Sequence, residues 1–237
     1  MGDSSAKHAG QVTLGDLTVN RLGLGTNRIS DNDQSLAVLK HAVELGVNFI
    51  DTAHRYGRSE EIIGQTLAPY PPGVIVATKG GWSDDNSPET LQASIDQSLR
   101  LLKLVQLPLW QLHRVDPNVP IEETMAFLKG QQQAGKIRYI GLSEVSVEQI
   151  EKARKVVPIA TVQNHYNLEV RQHEDVLDYC GREKIAFLPF FPLASGSLSH
   201  QQELQELAEK YQVTPIQIAL AWLHASLVNN VIGDHAL

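Results

Sequence analysis

The stretch LAVLKHAVELGVNFID, residues 36–51, contains one complete unit of the pattern that decides the fold of this chain. Leu36, Leu39 and Val43 recur at helical spacing, and residues 47–51 then form a short apolar run that ends in a carboxylate. Parallel strands can be joined only through a crossover, which is usually a helix. A helix followed directly by such a strand therefore indicates a parallel sheet.

The same unit recurs along the chain, with helical periodicity between successive apolar runs. The candidate strands lie at residues 21–25, 47–51, 74–78, 107–112, 137–141, 159–163, 185–188 and 228–232. Eight strands in alternation with helices favour a closed α/β architecture, the (β/α)8 TIM barrel, over an open sheet. The length of 237 residues agrees with this, since such barrels typically have about 250.

The remaining segments complete a single domain over residues 1–237. Residues 11–19 read as an N-terminal β-hairpin that turns at Gly15-Asp16 and would close the bottom of the barrel. No linker or change of composition marks an internal boundary. The prediction is therefore one barrel preceded by a hairpin.

Composition excludes several classes of partner. The formal net charge is −7 and the basic residues are dispersed, so no nucleic-acid surface is predicted. No apolar run approaches the roughly 20 residues that would cross a bilayer. The polar amino terminus is unlike a signal peptide, and a single cysteine, Cys180, suits a reducing compartment. We expect a soluble cytoplasmic protein without a metal site.

Polar residues stand at the carboxyl ends of the predicted strands, where barrels of this type carry their function. In chain order, these ends carry Gly25-Thr26-Asn27, Asp51 with the nearby Tyr56, Lys79, His113, Ser143-Glu144, Gln163-Asn164 and residues 190–196. Apolar strands that each finish in a polar residue would place a polar pocket above an apolar core.

Several of these strand ends carry a recognisable signature. The strings are GLGT at residues 23–26, DTAHRYG at 51–57, ATK at 77–79, LH at 112–113, GLS at 141–143, VQNHYN at 162–167 and FFPL at 190–193. Together they resemble the aldo-keto reductase family from about residue 12 to residue 223. The resemblance implies a small carbonyl substrate and hydride transfer from a nicotinamide cofactor, which would reduce an aldehyde or ketone to an alcohol.

By the same resemblance, Asp51, Tyr56, Lys79 and His113 form a catalytic tetrad, with Tyr56 as the general acid. A free phenol has a pKa near 10, and an ammonium group beside it is expected to lower that pKa. Asp51 would keep Lys79 charged and positioned. His113 would donate a hydrogen bond to the substrate oxygen and so orient the carbonyl.

The cofactor implied by the resemblance is NADPH, with NADH also possible. Ser143 and Gln163, together with Asn164, would bind the carboxamide of the nicotinamide, and Phe190 would stack on its ring where the family usually has tyrosine. Small residues in the segment 192–196 would let the backbone approach the pyrophosphate. The full predicted cofactor set is Gly25, Thr26, Asn27, Asp51, Ser143, Gln163, Asn164, Phe190, Pro192, Leu193, Ser195 and Gly196.

Two departures from the family pattern affect the cofactor site. Glu144 stands where the family usually has an asparagine, which puts a carboxylate near the carboxamide pocket. Residues 228–237 lack the expected proline-glycine turn and the basic segment that grips an adenosine 2′-phosphate. The C-terminal end therefore reads as abbreviated, and we expect only a weak preference for NADPH over NADH.

Three other functions compete with this interpretation. Gly23-x-Gly25 could belong to a Rossmann dehydrogenase, although Arg28 stands where the third glycine of that fingerprint belongs. A Schiff-base aldolase on the same barrel would use Lys79 as its nucleophile. A cofactor-sensing regulatory subunit would keep the fold without turnover. The sequence specifies neither the substrate nor the oligomeric state.

Overall fold

The computed structural model of the protein describes residues 5–226 and 232–234. The strands are β1 (Gln11–Leu14), β2 (Leu17–Asn20), β3 (Leu22–Gly25), β4 (Phe49–Asp51), β5 (Ile75–Gly80), β6 (Leu107–Leu112), β7 (Ile137–Ser143), β8 (Thr161–Gln163), β9 (Ala186–Phe187) and β10 (Ile232–Asp234). The helices are α1 (Asp33–Glu44), α2 (Ser59–Leu67), α3 (Pro88–Leu102), α4 (Ile121–Gln133), α5 (Val147–Arg154), α6 (Glu174–Glu183), α7 (Gln202–Tyr211) and α8 (Pro215–Ser226). Within the described ranges, no helix combines the length and apolar character needed to span a membrane.

Strands β3 to β10 form one parallel sheet whose spatial order follows the chain. The last strand, β10, pairs with the first, β3, through Ile232 opposite Leu22. This arrangement confirms the (β/α)8 barrel, because a doubly wound Rossmann sheet reverses its strand order midway. The predicted eighth strand began at Val228, but residues 227–231 lie outside the described part of the chain.

The N-terminal hairpin covers one end of the barrel. Strands β1 and β2 are antiparallel, with Val12 opposite Val19, and they turn at Gly15 and Asp16 as predicted. Val12, Leu14 and Val19 are buried in a cluster with side chains from the barrel strands. These barrel residues are Phe49, Ala77, Leu109, Ala186 and Leu188. The hairpin thus closes the bottom of the barrel.

The alternation of side chains along each strand separates the core from the site. In β5, Val76 packs in the large cluster shared with the helices, whereas Ala77 packs inside the barrel against the hairpin. Successive side chains point to opposite faces of a strand, so Lys79 lies on the same inner face as Ala77. Apolar residues fill the bottom of the interior, and polar residues follow at the carboxyl ends.

Capping side chains fix where helices begin after the site loops. Ser87 accepts a hydrogen bond from the Thr90 amide, and Pro88 occupies the first turn of α3. Ser146 and Gln149 form a reciprocal capping box at the start of α5. Such caps satisfy backbone donors that have no partner within the helix. The two caps thereby fix where the loops that follow β5 and β7 end.

The contact between α2 and α3 depends on a glycine. A Cβ atom on Gly64 would lie 2.0 Å from the backbone oxygen of Leu101. We expect Gly64→Ala to reduce the free energy of unfolding by about 1–3 kcal/mol, the usual penalty of overpacking. Gly130 in α4 is the matched control: a Cβ there meets nothing within 4 Å, so Gly130→Ala should stabilise by about 0.4–1 kcal/mol. Urea unfolding measures both, and equal effects of the two substitutions would contradict the predicted clash.

Candidate active site

A buried ion pair lies at the base of the site. Lys79 is 1% exposed, and its Nζ donates to Asp51 Oδ2 at 2.6 Å and to the Thr52 carbonyl at 2.9 Å. Gln163 Nε2 donates to the other carboxylate oxygen of Asp51 at 3.0 Å. These contacts stabilise both charges, because a buried pair is favourable only when its remaining polar atoms are also hydrogen-bonded.

Gln111 supports the same carboxylate and was not among the predicted site residues. It is fully buried, its Nε2 lies 3.4 Å from Asp51 Oδ1, and its Oε1 accepts from the hydroxyl of Thr161 at 3.1 Å. The signal that could have identified it is alternation, because Gln111 lies two residues before His113 and therefore on the same face of the chain.

Tyr56 and His113 lie above the ion pair. Their rings meet edge to face, with centroids 5.9 Å apart, and Lys79 Nζ lies 5.3 Å from the centroid of Tyr56. Tyr56 comes from the loop between β4 and α2, and His113 directly follows β6. The structure thus brings all four predicted tetrad residues together from three strand ends.

Burial and charge act in opposite directions on the Tyr56 hydroxyl. Burial raises the pKa of Tyr56, and the Lys79 ammonium partly opposes that rise. The net direction is the reverse of the sequence-based expectation, because desolvation of a phenolate outweighs the attraction of one ammonium that is itself paired with Asp51. At neutral pH the Tyr56 hydroxyl is therefore protonated.

His113 is a neutral imidazole. It is 6% exposed, and burial, with Lys79, Arg114 and Arg55 nearby, lowers its pKa from 6.5 to about 2. Among the described residues, its Nδ1 has no hydrogen-bond partner. A neutral imidazole carries one N–H donor, so His113 can donate a hydrogen bond without supplying a charge.

The depressed pKa of His113 predicts a pH-dependent stability. Because its pKa is 6.5 when unfolded and about 2 when folded, the unfolded chain binds more protons between these values. His113 should therefore destabilise the fold progressively as the pH falls below 6.5, by up to about 1.4 kcal/mol per pH unit. Urea unfolding of the parent and of His113→Gln, above and below pH 6.5, measures how the free energy of unfolding depends on pH. If acid lowered the free energy of unfolding equally in both proteins, the assignment of this pH dependence to His113 would be wrong.

A cleft of about 310 Å³ opens above the tetrad. Its size lies at the lower end of the range for small-molecule sites. The walls consist of Asn27, Arg55, Tyr56, Trp82, His113, Arg114, Ser143, Gln163, Phe190 and Phe191. The predicted residues Asn27, Ser143, Gln163 and Phe190 all contribute. Asn27 Oδ1 is buried without a hydrogen-bond partner in the described part of the chain, which leaves an acceptor for a ligand.

Two predicted cofactor residues at the end of β3 are engaged with neighbouring chain segments. Thr26 is fully buried, and its hydroxyl donates to the Asp51 carbonyl at 2.9 Å and accepts from Ser59 Oγ at 2.8 Å. Gly25 is paired in register with Asp51. In this structure both residues hold the end of β3 against β4 and are absent from the cleft wall.

Hydrogen bonds of Asn164 and Glu144 connect the loop after β7 with the loop after β8. Asn164 is fully buried, and its amide exchanges hydrogen bonds of 2.8 and 3.1 Å with the backbone of Val145. Glu144 has a φ of 54° and accepts from the His165 amide at 2.6 Å. That Glu144 oxygen is bonded to the backbone after β8, and both side-chain polar atoms of Asn164 form a hydrogen bond to Val145.

The predicted pyrophosphate segment, residues 192–196, follows β9 in strained backbone. Phe191, which precedes the segment, and Ala194 within it have φ values of 50° and 47°, a left-handed conformation that non-glycine residues adopt rarely. The side chain of Leu193 packs in an apolar cluster with residues of α7 and α8. The side chain of Ser195 lies outside the described residues.

Comparison with known proteins places these features in a family. Residues 21–233 match the family model "Aldo/keto reductase family". An uncharacterized oxidoreductase of Schizosaccharomyces pombe is 40% identical over 92% of this chain and 78% of its own length. Pyridoxine 4-dehydrogenase of Escherichia coli is 35% identical over 89% of this chain and 82% of its own.

Solved structures show the same fold. An aldo/keto reductase from Klebsiella pneumoniae, crystallised with NADP and acetate, superimposes with a TM-score of 0.84 at 25% identity. The superposition covers 92% of this chain and 82% of that protein. The similarity in fold therefore extends over most of this chain.

Proposed function

This chain belongs to the aldo/keto reductase family and is an NADP(H)-dependent oxidoreductase, and we propose that Tyr56 is the general acid of its carbonyl reduction. The observation that supports this role is the position of Tyr56 in the cleft wall, edge to face with His113 and 5.3 Å above Lys79 Nζ. The finer roles below extend the family assignment to individual side chains.

The residues of the cleft fit a nicotinamide. Phe190 offers a flat apolar ring, and Ser143 a hydroxyl. Gln163 uses its Nε2 on Asp51, so its Oε1 can accept from an amide nitrogen. We propose that Ser143 and Gln163 hold the carboxamide, that Asn27 is a further polar contact, and that residues 192–196 follow the pyrophosphate. When bound, NADPH supplies the hydride that reduces the carbonyl carbon.

Tyr56 completes the reduction by giving up its phenolic proton. As the new C–H bond forms, the electrons of the C=O double bond move onto oxygen, and that oxygen takes the proton from Tyr56. An alkoxide is a far stronger base than a phenolate, so the transfer is favourable even with the raised pKa of Tyr56. The Lys79 ammonium then stabilises the phenolate until solvent reprotonates it.

His113 orients the substrate. A neutral imidazole can donate one hydrogen bond to the carbonyl oxygen and hold it beside the Tyr56 hydroxyl, which positions the reacting atoms for a unimolecular step. Trp82 packs edge to face on His113 with a centroid separation of 4.9 Å. This contact fixes the plane of the imidazole ring and so the direction of its N–H.

The geometry disfavours the Schiff-base aldolase. A nucleophilic lysine must offer a neutral amine to the substrate carbonyl. Lys79 Nζ is instead bonded to Asp51 and to the Thr52 carbonyl, and Lys79 is only 1% exposed. The cleft wall includes Tyr56 and His113 but not Lys79, so a substrate in the cleft would contact those two side chains.

Cofactor oxidation with a panel of carbonyl compounds tests the proposed function. The purified chain should consume NADPH with aliphatic, aromatic and sugar aldehydes, and with pyridoxal, because one relative is a pyridoxine 4-dehydrogenase. Parallel titrations with NADPH and NADH would test whether both cofactors are accepted. Tight NADPH binding without turnover of any compound would support the cofactor-sensing alternative.

A further inference from the structure

Two arginines project into the cleft beside the proposed catalytic residues. Arg55 directly precedes Tyr56, and Arg114 directly follows His113. The guanidinium carbons of Arg55 and Arg114 lie 4.3 and 5.2 Å from the centroid of the Trp82 ring. Cation–π contacts of this kind hold a guanidinium in place without neutralising it.

Neither guanidinium forms a salt bridge among the described residues, although the Glu144 carboxylate acts on Arg114 at longer range. Within the described ranges, no carboxylate lies within 4.0 Å of Arg55 or Arg114, whereas nearby Arg58 bridges both Asp31 and Glu61. The cleft wall itself contains no aspartate or glutamate. The deeper carboxylate of Asp51 is already paired with Lys79. A chain of net charge −7 thus places two guanidinium groups at one cleft, neither of them in a salt bridge with a described residue.

Arg114 is placed so that part of its guanidinium remains available. Its Nη1 donates to the His113 carbonyl at 2.6 Å and to Ser143 Oγ at 3.1 Å. A guanidinium has five N–H donors in a fixed fork, so the other donors are free for a ligand. Burial lowers the pKa of Arg114, and the Glu144 carboxylate partly opposes that shift; a half-buried cation has lost part of its hydration. An anionic ligand would compensate for that lost hydration.

Resting on the proposed function, we infer that the cleft selects an aldehyde or ketone that also carries an anionic group, a carboxylate or a phosphate. The forked guanidinium geometry matches both anions. Since Arg55 and Arg114 adjoin Tyr56 and His113 in sequence, one short substrate can place its carbonyl at the tetrad and its anion at the arginines. The arginines act as specificity determinants and take no part in proton or hydride transfer.

Matched substrate pairs test this selection, one pair for each anion. The carboxylate pair is 4-carboxybenzaldehyde and its neutral amide, 4-carbamoylbenzaldehyde. The phosphate pair is glyceraldehyde 3-phosphate and glyceraldehyde. We expect kcat/KM to favour the charged member of at least one pair by about 10-fold or more, mainly through a lower KM, since one charge-assisted hydrogen bond has this effect. The pair with the larger ratio identifies the anion.

Substitutions test whether the preference for the charged substrate depends on Arg55 and Arg114. Arg55→Gln and Arg114→Gln should each reduce the charged-over-neutral ratio by about 10-fold, whereas Arg58→Gln, on the same loop but outside the cleft, should leave the ratio unchanged. Equal turnover of charged and neutral members by the parent would overturn the inference while the reductase function stood. A variant that instead raises KM for NADPH would assign the arginines to the cofactor. If neither member of either pair is reduced, the proposed function itself fails.

Discussion

Replacing Tyr56 with phenylalanine should lower kcat by at least about 100-fold, the usual scale of general acid catalysis. The substitution removes one hydroxyl and keeps the ring that meets His113 edge to face at 5.9 Å. NADPH affinity, measured by quenching of protein fluorescence, should therefore stay close to that of the parent. The loss should appear in kcat because the proton is needed only in the transition state.

Tyr139→Phe provides the matched control for the loss of a tyrosine hydroxyl. Tyr139 lies in β7 at the opposite end of the barrel, where its hydroxyl donates to Asp16 at 2.7 Å. This substitution should keep kcat within a few-fold of the parent. If Tyr56→Phe also stayed within a few-fold, Tyr56 would not be the proton donor, and another group in the cleft would have to be sought.

Replacing Lys79 with methionine should have two separable effects. It leaves the Asp51 carboxylate buried without its cation, and breaking a buried pair in this way destabilises by about 3–5 kcal/mol. It also removes the ammonium that stabilises the Tyr56 phenolate, so turnover should fall by about 100-fold or more. Urea unfolding measures the first effect, and steady-state NADPH oxidation at a temperature where the variant is folded measures the second.

The double substitution of Asp51→Asn with Lys79→Met distinguishes these effects. An asparagine at position 51 can still accept from Gln163 and Gln111 but carries no charge, so much of the lost stability should return. Activity should stay low because the ammonium is still absent. Recovery of parental turnover in the double variant would show that the ion pair is only structural. A borohydride-trapped adduct in the parent that is absent from Lys79→Met would instead identify an aldolase.

Much of the barrel is predictable because it follows from local periodicity. The hairpin turn at Gly15 and Asp16 and the strand at residues 107–112 lie where the sequence pattern places them. Strand ends were less well predicted: β5 extends to Gly80 and β9 retains only Ala186 and Phe187. Hydrogen bonding to neighbouring strands determines those ends, and a single strand does not contain that information.

The sequence predicted which candidate residues lie near one another at the rim better than it predicted their hydrogen bonds. Asp51 and Lys79 form their ion pair as proposed, because both lie at strand ends that meet at one rim. Thr26 and Asn164, which the sequence predicts as cofactor contacts, also form hydrogen bonds to neighbouring chain segments in the fold. A motif identifies the residue type at a strand end, but competing partners in the folded chain decide which atoms remain free.

The sequence by itself determined that this protein is a parallel barrel with its polar chemistry at one rim, because hydrophobic periodicity and strand-end motifs are local properties of the chain. Only the tertiary structure decided the direction in which the Tyr56 pKa shifts and the position of both Arg55 and Arg114 in the wall of one cleft. Both depend on burial and on neighbours from distant loops. Desolvation and Coulomb energies sum over every surrounding group, and that environment exists only after the strands have assembled.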